Sequence, residues 1–173
     1  MTKIIKFYNG GGDDKGRLLE DIWDWDFIKL EHIHDYIQWL FPIIEPNYFN
    51  RETPKLLEED IAEFTQNTNL RKRLITSFLM MLNFYGLNCR INENEFIIDK
   101  ATNYEERKKN WQTGENHNFL RITRILHCLK TLGCEKLAKA FYDCLIKLVA
   151  EDPDKFNFTS LWYWKNAVEE LLI

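Results

Sequence analysis

No stretch of this 173-residue sequence approaches the ~18 consecutive apolar residues of a membrane helix. The opening MTKIIKFYNG has neither an apolar signal core nor a small-residue cleavage site. Cysteine is scarce, with Cys89, Cys128, Cys134 and Cys144 the full set. A core of this length needs no covalent staple, so a disulfide framework is not expected. Together these absences predict a cytoplasmic chain with reduced thiols. A large basic excess is also missing: the net charge is −4, which argues against a general nucleic-acid binder. No repeat, low-complexity tract or interdomain linker interrupts the chain, so residues 1–173 read as one domain.

Glycine is sparse too, and its one run does not make a phosphate loop. GGGDDKG, residues 10–16, lacks the Lys-Ser/Thr ending of a P-loop and does not fit GxGxxG. It reads as a flexible turn. Asp13, Asp14 and Asp21 lack the alternating oxygen ligands and final Glu of a calcium loop. The histidines and cysteines match no CxxC or HExxH spacing. No metal and no other cofactor is therefore expected.

Hydrophobic residues make up 45 %, enough for a core and too many for disorder. Their spacing is helical. Residues 17–25 read as a short helix. Residues 29–41 read as the next, with Ile33, Tyr36, Ile37, Leu40 and Phe41 on one apolar face. Trp39 falls off that seam, and Pro42 stops the helix. Pro46 prolongs a stiff turn before Phe49. Thr53-Pro54 reads as a helix start, followed by Leu57, Ile61 and Phe64. Residues 68–85 form a central helix, with Leu70, Leu74, Phe78, Met81 and Tyr85 on one face, widened by Ile75, Leu79 and Leu82. Gly86 caps it. Residues 89–99 are the one strand-like segment and suggest a small hairpin. Helices follow at 104–111, at 117–133 and around Leu137–Leu148. A last one is capped by Thr159 or Ser160 and carries Leu161, Trp164, Val168 and Leu171. The product is an all-α domain of about seven helices with at most one small hairpin.

The segments HDYIQWLFP (34–42) with EP, LNFYG, NW with HNFLRITRIL (117–126), and LG follow one another in this order. In this the chain resembles the conserved domain of the opioid growth factor receptor family, from FY at 7–8 to SLWYWKNAV at 160–168. The resemblance implies a non-catalytic module with signalling receptor activity, since animal members are described as receptors for enkephalin peptides acting at the nucleus. The nuclear-localisation clusters of those members have no counterpart among these residues. The resemblance carries over no catalytic residue.

His34 and Asp35 are not a dyad, because neighbours on a helix point about 100° apart. His117, Arg121, Arg124 and Cys128 recur at four, three and four, on one helix face. Two guanidiniums a turn apart suit a carboxylate or phosphate. Asn118 lies at the helix N-terminus, and Trp111 lies upstream as a wall. Against this stands a structural clasp, Arg121 or Arg124 paired to Asp35 or another acid. That reading is preferred because buried ion pairs more often fix geometry than catalyse. One tryptophan of each i, i+2 pair, as in Trp162 and Trp164, is expected outside the core, where it covers a core edge or anchors a partner.

The expected function is a ligand- or protein-binding helical module. Its candidate residues are His34, Asp35, Gln38, Trp111, His117, Asn118, Arg121 and Arg124. The partner would be a peptide, a protein or an anionic small molecule. The alternative is an enzyme acting on a phosphate- or carboxylate-bearing small molecule, with the arginines as clamp and His34 or His117 as acid/base. No nucleophile motif supports it.

Overall fold

A computed structural model of the chain describes residues 1–44 and 53–169. The expected turn at Pro46 and Phe49, and Leu171 of the last helix, lie outside them. Within them run α1 (Lys3–Tyr8), α2 (Leu19–Trp23), α3 (Phe27–His32), α4 (Ile37–Leu40), α5 (Glu58–Gln66) and α6 (Thr68–Tyr85). A hairpin follows, β1 (Leu87–Asn92) and β2 (Glu95–Lys100). Then come α7 (Tyr104–Trp111), α8 (His117–Thr131), α9 (Glu135–Glu151), a 3₁₀ turn (Pro153–Lys155) and α10 (Phe158–Val168). The fold is all-α with one small hairpin, as expected. The helices number ten among the described residues: the expected 29–41 helix is split into α3 and α4, and α1 was not anticipated. None of these helices is long and apolar enough to cross a membrane.

The long elements follow their sequence closely. Asn67 caps α6, its side chain accepting from the amides of Asn69 and Leu70. Gly86 ends it in the left-handed region at φ 81. A Cβ there would lie 2.7 Å from the Tyr104 Cα, so Gly86 meets both a conformational and a space requirement. The hairpin pairs Leu87 with Lys100 through Asn92 with Glu95, turning on Glu93 and Asn94, both at positive φ. In α8, Ile122, Ile125, Leu126 and Leu129 are fully buried and face α9 and α10. Leu79 of α6, expected in the core, is instead 44 % exposed.

Four local expectations are corrected. α1 was unforeseen; Thr2 caps it and Ile4, Ile5, Phe7 and Tyr8 bury its apolar side. The 10–16 turn is an ordered knot rather than a flexible one. Asp13 is buried and accepts from the amides of Lys15 and Arg17 (2.9 Å each) and from Arg17 Nε (2.6 Å). This knot delays α2 to Leu19. The helix expected from Thr53-Pro54 begins only at Glu58, where the buried Asp60 carboxylate accepts from the Leu57 amide at 2.9 Å. Asn157, rather than Thr159 or Ser160, caps α10 by accepting from the Ser160 amide at 2.8 Å.

The largest correction concerns residues 29–41, which are not one helix. Asp26 starts α3 early, accepting from the Lys29 amide at 2.8 Å, and Ile33 is extended (φ −89, ψ 130). The chain resumes as α4 four residues on. Tyr36, Ile37, Leu40 and Phe41 still reach the core, because the turn restores their phase. Trp39 is buried as well, since α1 covers it as a second layer, with the Phe7 ring 5.4 Å away.

Candidate functional site

Breaking a helix frees carbonyls, and here a cation collects them. Arg121 of α8 is buried and reaches across to the end of α3. Its Nη1 donates to the Leu30 carbonyl (2.9 Å) and its Nη2 to the Ile33 carbonyl (2.9 Å). One turn later, Arg124 Nε donates to the Phe41 carbonyl at 2.7 Å, at the end of α4. The Gln38 amide turns back onto the carbonyls of Asp35 (3.0 Å) and His34 (3.2 Å). Tyr36 donates its hydroxyl to the Leu30 carbonyl at 2.7 Å, and burial keeps that phenol protonated. Both arginines tie α8 to the 30–41 segment, but the ion pair expected between Arg121 and Asp35 is not formed: the partners of Arg121 are backbone carbonyls. Asp35 instead pairs with Lys15 and with Arg17 (2.8 Å).

Beside the clasp sits Glu31, half-buried. Its Oε2 accepts from Asn110 Nδ2 (3.0 Å) and Asn118 Nδ2 (3.2 Å), and its Oε1 meets His117 Nε2 at 2.6 Å. Burial raises its pKa, but these hydrogen bonds and the charges of His117 and Arg121 hold the carboxyl below its ordinary range. The His34 and His117 rings lie 5.1 Å apart. Burial, then Arg121 and His117, lower the His34 pKa.

Above this floor opens a pocket of about 500 Å³. His34, Ile37, Gln38 and Ile43 form one wall and α8 the other, with Tyr163 of α10 at the end. Five of the eight sequence candidates meet here: His34, Gln38, His117, Arg121 and Arg124. Three do not line it. Asp35 faces a separate depression with Asp14, Lys15 and Trp39. Asn118 is fully buried beneath the floor. Trp111 is buried elsewhere, its Nε1 donating to the Tyr85 carbonyl at 3.1 Å. Cys128, the end of the α8 stripe, faces the core, where burial raises its thiol pKa.

The sequence reading missed Glu31, Ile43, Leu120, Thr123, His127 and Tyr163. Leu120 carried a signal: it is an apolar residue on the polar side of α8, and it is 69 % exposed. Tyr163 stands between two tryptophans of opposite fate. Trp164 is fully buried while Trp162 is exposed and packs its ring on Tyr163 at 5.2 Å. With Phe158 on the same side of α10, an exposed apolar shelf adjoins the pocket. A comparable depression of about 520 Å³ between the hairpin tip and α9 alternates Lys130, Lys136 and Lys139 with Glu95, Glu135 and Asp143, as a solvated face does. Among the described residues no group of three or more His, Cys, Asp or Glu is placed to hold a metal ion.

The chain belongs to the opioid growth factor receptor (OGFr) conserved-region family, whose model matches residues 13–171. It is 38 % identical over 132 residues to "Opioid growth factor receptor-like protein 1" of Xenopus tropicalis, covering 75 % of this chain and 24 % of that protein. It is 39 % identical over 123 residues to the mouse "Opioid growth factor receptor", covering 69 % of this chain and 19 % of that protein. The human protein of the same name is 38 % identical over 125 residues, covering 69 % and 18 %. The chain thus spans a quarter or less of the length of these curated relatives. No solved structure matches it.

Proposed function

We propose that the chain is a binding module whose groove between α4, α8 and α10 receives a segment of a partner protein. The observation that carries this reading is where the two hallmark segments meet. HDYIQWLFP supplies His34, Ile37 and Gln38 to one wall, and HNFLRITRIL supplies His117, Leu120, Arg121, Thr123 and Arg124 to the other. Exposed Leu120 and Tyr163 give such a segment apolar contacts at the rim. The relatives are named as a receptor and a receptor-like protein, and a segment-receiving groove suits such a role for this chain. An anion clamp for catalysis is less favoured, because Arg121 is committed to the α3 carbonyls.

Random-peptide display on the full chain tests the proposal. Peptides retained by the wild type should weaken about tenfold or more with Leu120→Asn and with Tyr163→Ala. Both positions are exposed, so both variants should keep the wild-type circular dichroism and melting temperature. Peptides bound equally by all three proteins would place binding elsewhere and contradict it.

A further inference from the structure

The outer side of α10 is apolar where a helix surface is ordinarily polar. Phe158 is 91 % exposed, Trp162 58 % and Tyr163 45 %. Phe158 and Trp162 stand one turn apart and share one helix side, and the Trp162 ring rests on Tyr163. The helix is held from its other side. Trp164 and Ala167 are buried there, Trp164 Nε1 donates to the Phe119 carbonyl at 3.0 Å, and Lys130 Nζ donates to the Val168 carbonyl at 2.9 Å. Between Phe158 and Val168 the one charged residue is Lys165. A fully exposed aromatic side chain carries about 150–250 Å². At these exposures the three rings present about 400 Å² per copy, the size of a patch that marks an interaction surface.

We infer that this face docks on the same face of a second copy of the chain, giving a reversible two-fold dimer with α10 antiparallel to its counterpart. Two such faces remove about 800 Å² of aromatic surface from water, and with a polar rim the total reaches about 1,200 Å², the lower bound for specific interfaces. The pair is therefore weak, with half-association on the order of 10–100 µM. At the low concentrations of peptide display the chain is then monomeric, so Tyr163 stays open to the groove.

Charge favours a second copy as the occupant. The chain carries −4, so copies repel one another through most of their surface, but not here. A two-fold axis at Trp162, near the middle of the helix, brings the end with Lys165 and Glu169 to the end with Asp152, Asp154 and Lys155, all exposed. Both ends hold both signs, so acid meets base, and the two Lys165 side chains stay apart. The antiparallel arrangement also sets the positive end of each helix dipole beside the negative end of the other. Because the same patch is used on both copies, association closes at two.

Sedimentation velocity of the full chain from about 5 to about 500 µM tests the inference. The average mass should rise from one copy toward two and stop there. Phe158→Ser and Trp162→Ser should each weaken association about tenfold or more, and the double variant should stay monomeric. Both side chains are exposed, so circular dichroism and the melting temperature at low concentration should be unchanged. A chain that remains a single copy throughout would overturn the dimer, as would association that passes two copies without a plateau or survives the double variant. The groove is read separately, by display-selected peptides whose dependence on Leu120 should persist in the double variant. A monomeric wild type whose peptides still depend on Leu120 would overturn the dimer and leave the binding module standing. A monomeric wild type whose peptides are lost with Phe158→Ser and Trp162→Ser would make the shelf part of the peptide site instead.

Discussion

Arg121 explains why one side chain can hold two helices without an acid. Two charge-assisted bonds to carbonyls satisfy the frayed end of α3, and each is worth more than a neutral bond. Arg121→Met keeps the volume and removes the donors. It should cost ~2–4 kcal/mol in denaturant melts, because buried carbonyls are left unpaired and Glu31 loses a favourable neighbour. A loss within ~0.5 kcal/mol would mean water replaces the guanidinium at no cost. Sulfate should not stabilise the wild type through Arg121, since its donors are committed. The importance of Arg121 was legible from its place in the α8 stripe, but its partners were not. Backbone carbonyls leave no trace in side-chain spacing, so the sequence offered Asp35 as the obvious acid, which Arg17 and Lys15 hold instead.

Helix faces were easier to read than helix ends. The 3.6-residue period names buried positions whether or not the backbone stays helical between them, and so Tyr36, Ile37, Leu40 and Phe41 are buried across a break the period does not register. Long helices with a cap and a terminal glycine, such as α6, were legible in their bounds and main buried face, Leu79 excepted. Short ones set by tertiary contacts, such as α1 and α4, were not, because isolated helices of that length are not stable on propensity alone. Trp39 belongs to the same lesson, buried only because α1 lies over it. Gly86 marks the join of α6 to the hairpin and α7. Gly86→Ala should cost at least ~1–3 kcal/mol by thermal melt, from the positive φ and the 2.7 Å approach to Tyr104. A neutral effect would show that this join relaxes freely.

The pH response of the whole chain should have a definite sign. His34 is depressed below its ordinary value of 6.5, by burial first and then by Arg121 and His117. Its contribution is complete above that value and is lost as pH falls through the lowered folded pKa. For Glu31 and Asp35 burial raises the pKa, yet hydrogen bonds and cations hold both below their ordinary 4.5 and 3.8. Their contributions are present above those values and fade on further acidification. Melting temperatures between pH 8 and about 3 should therefore fall in two stages, the first below about 6.5 and removed by His34→Gln. A melting temperature that rises between about 7 and about 5 in the absence of peptide would contradict the environment assigned to His34.

The fold class and the family were both readable in the sequence. The groove was readable only in part, because its rim residues Leu120, Ile43 and Tyr163 come from three separate segments that only the folded chain brings together. Amide hydrogen exchange of the full chain, free and saturated with a display-selected peptide, decides whether that groove is the binding face. Added protection should concentrate in residues 33–43, in 117–127 and around Tyr163, with the hairpin and the outer face of α9 unchanged. Protection centred on the hairpin tip and α9, with α4 and α8 unaffected, would contradict the assignment.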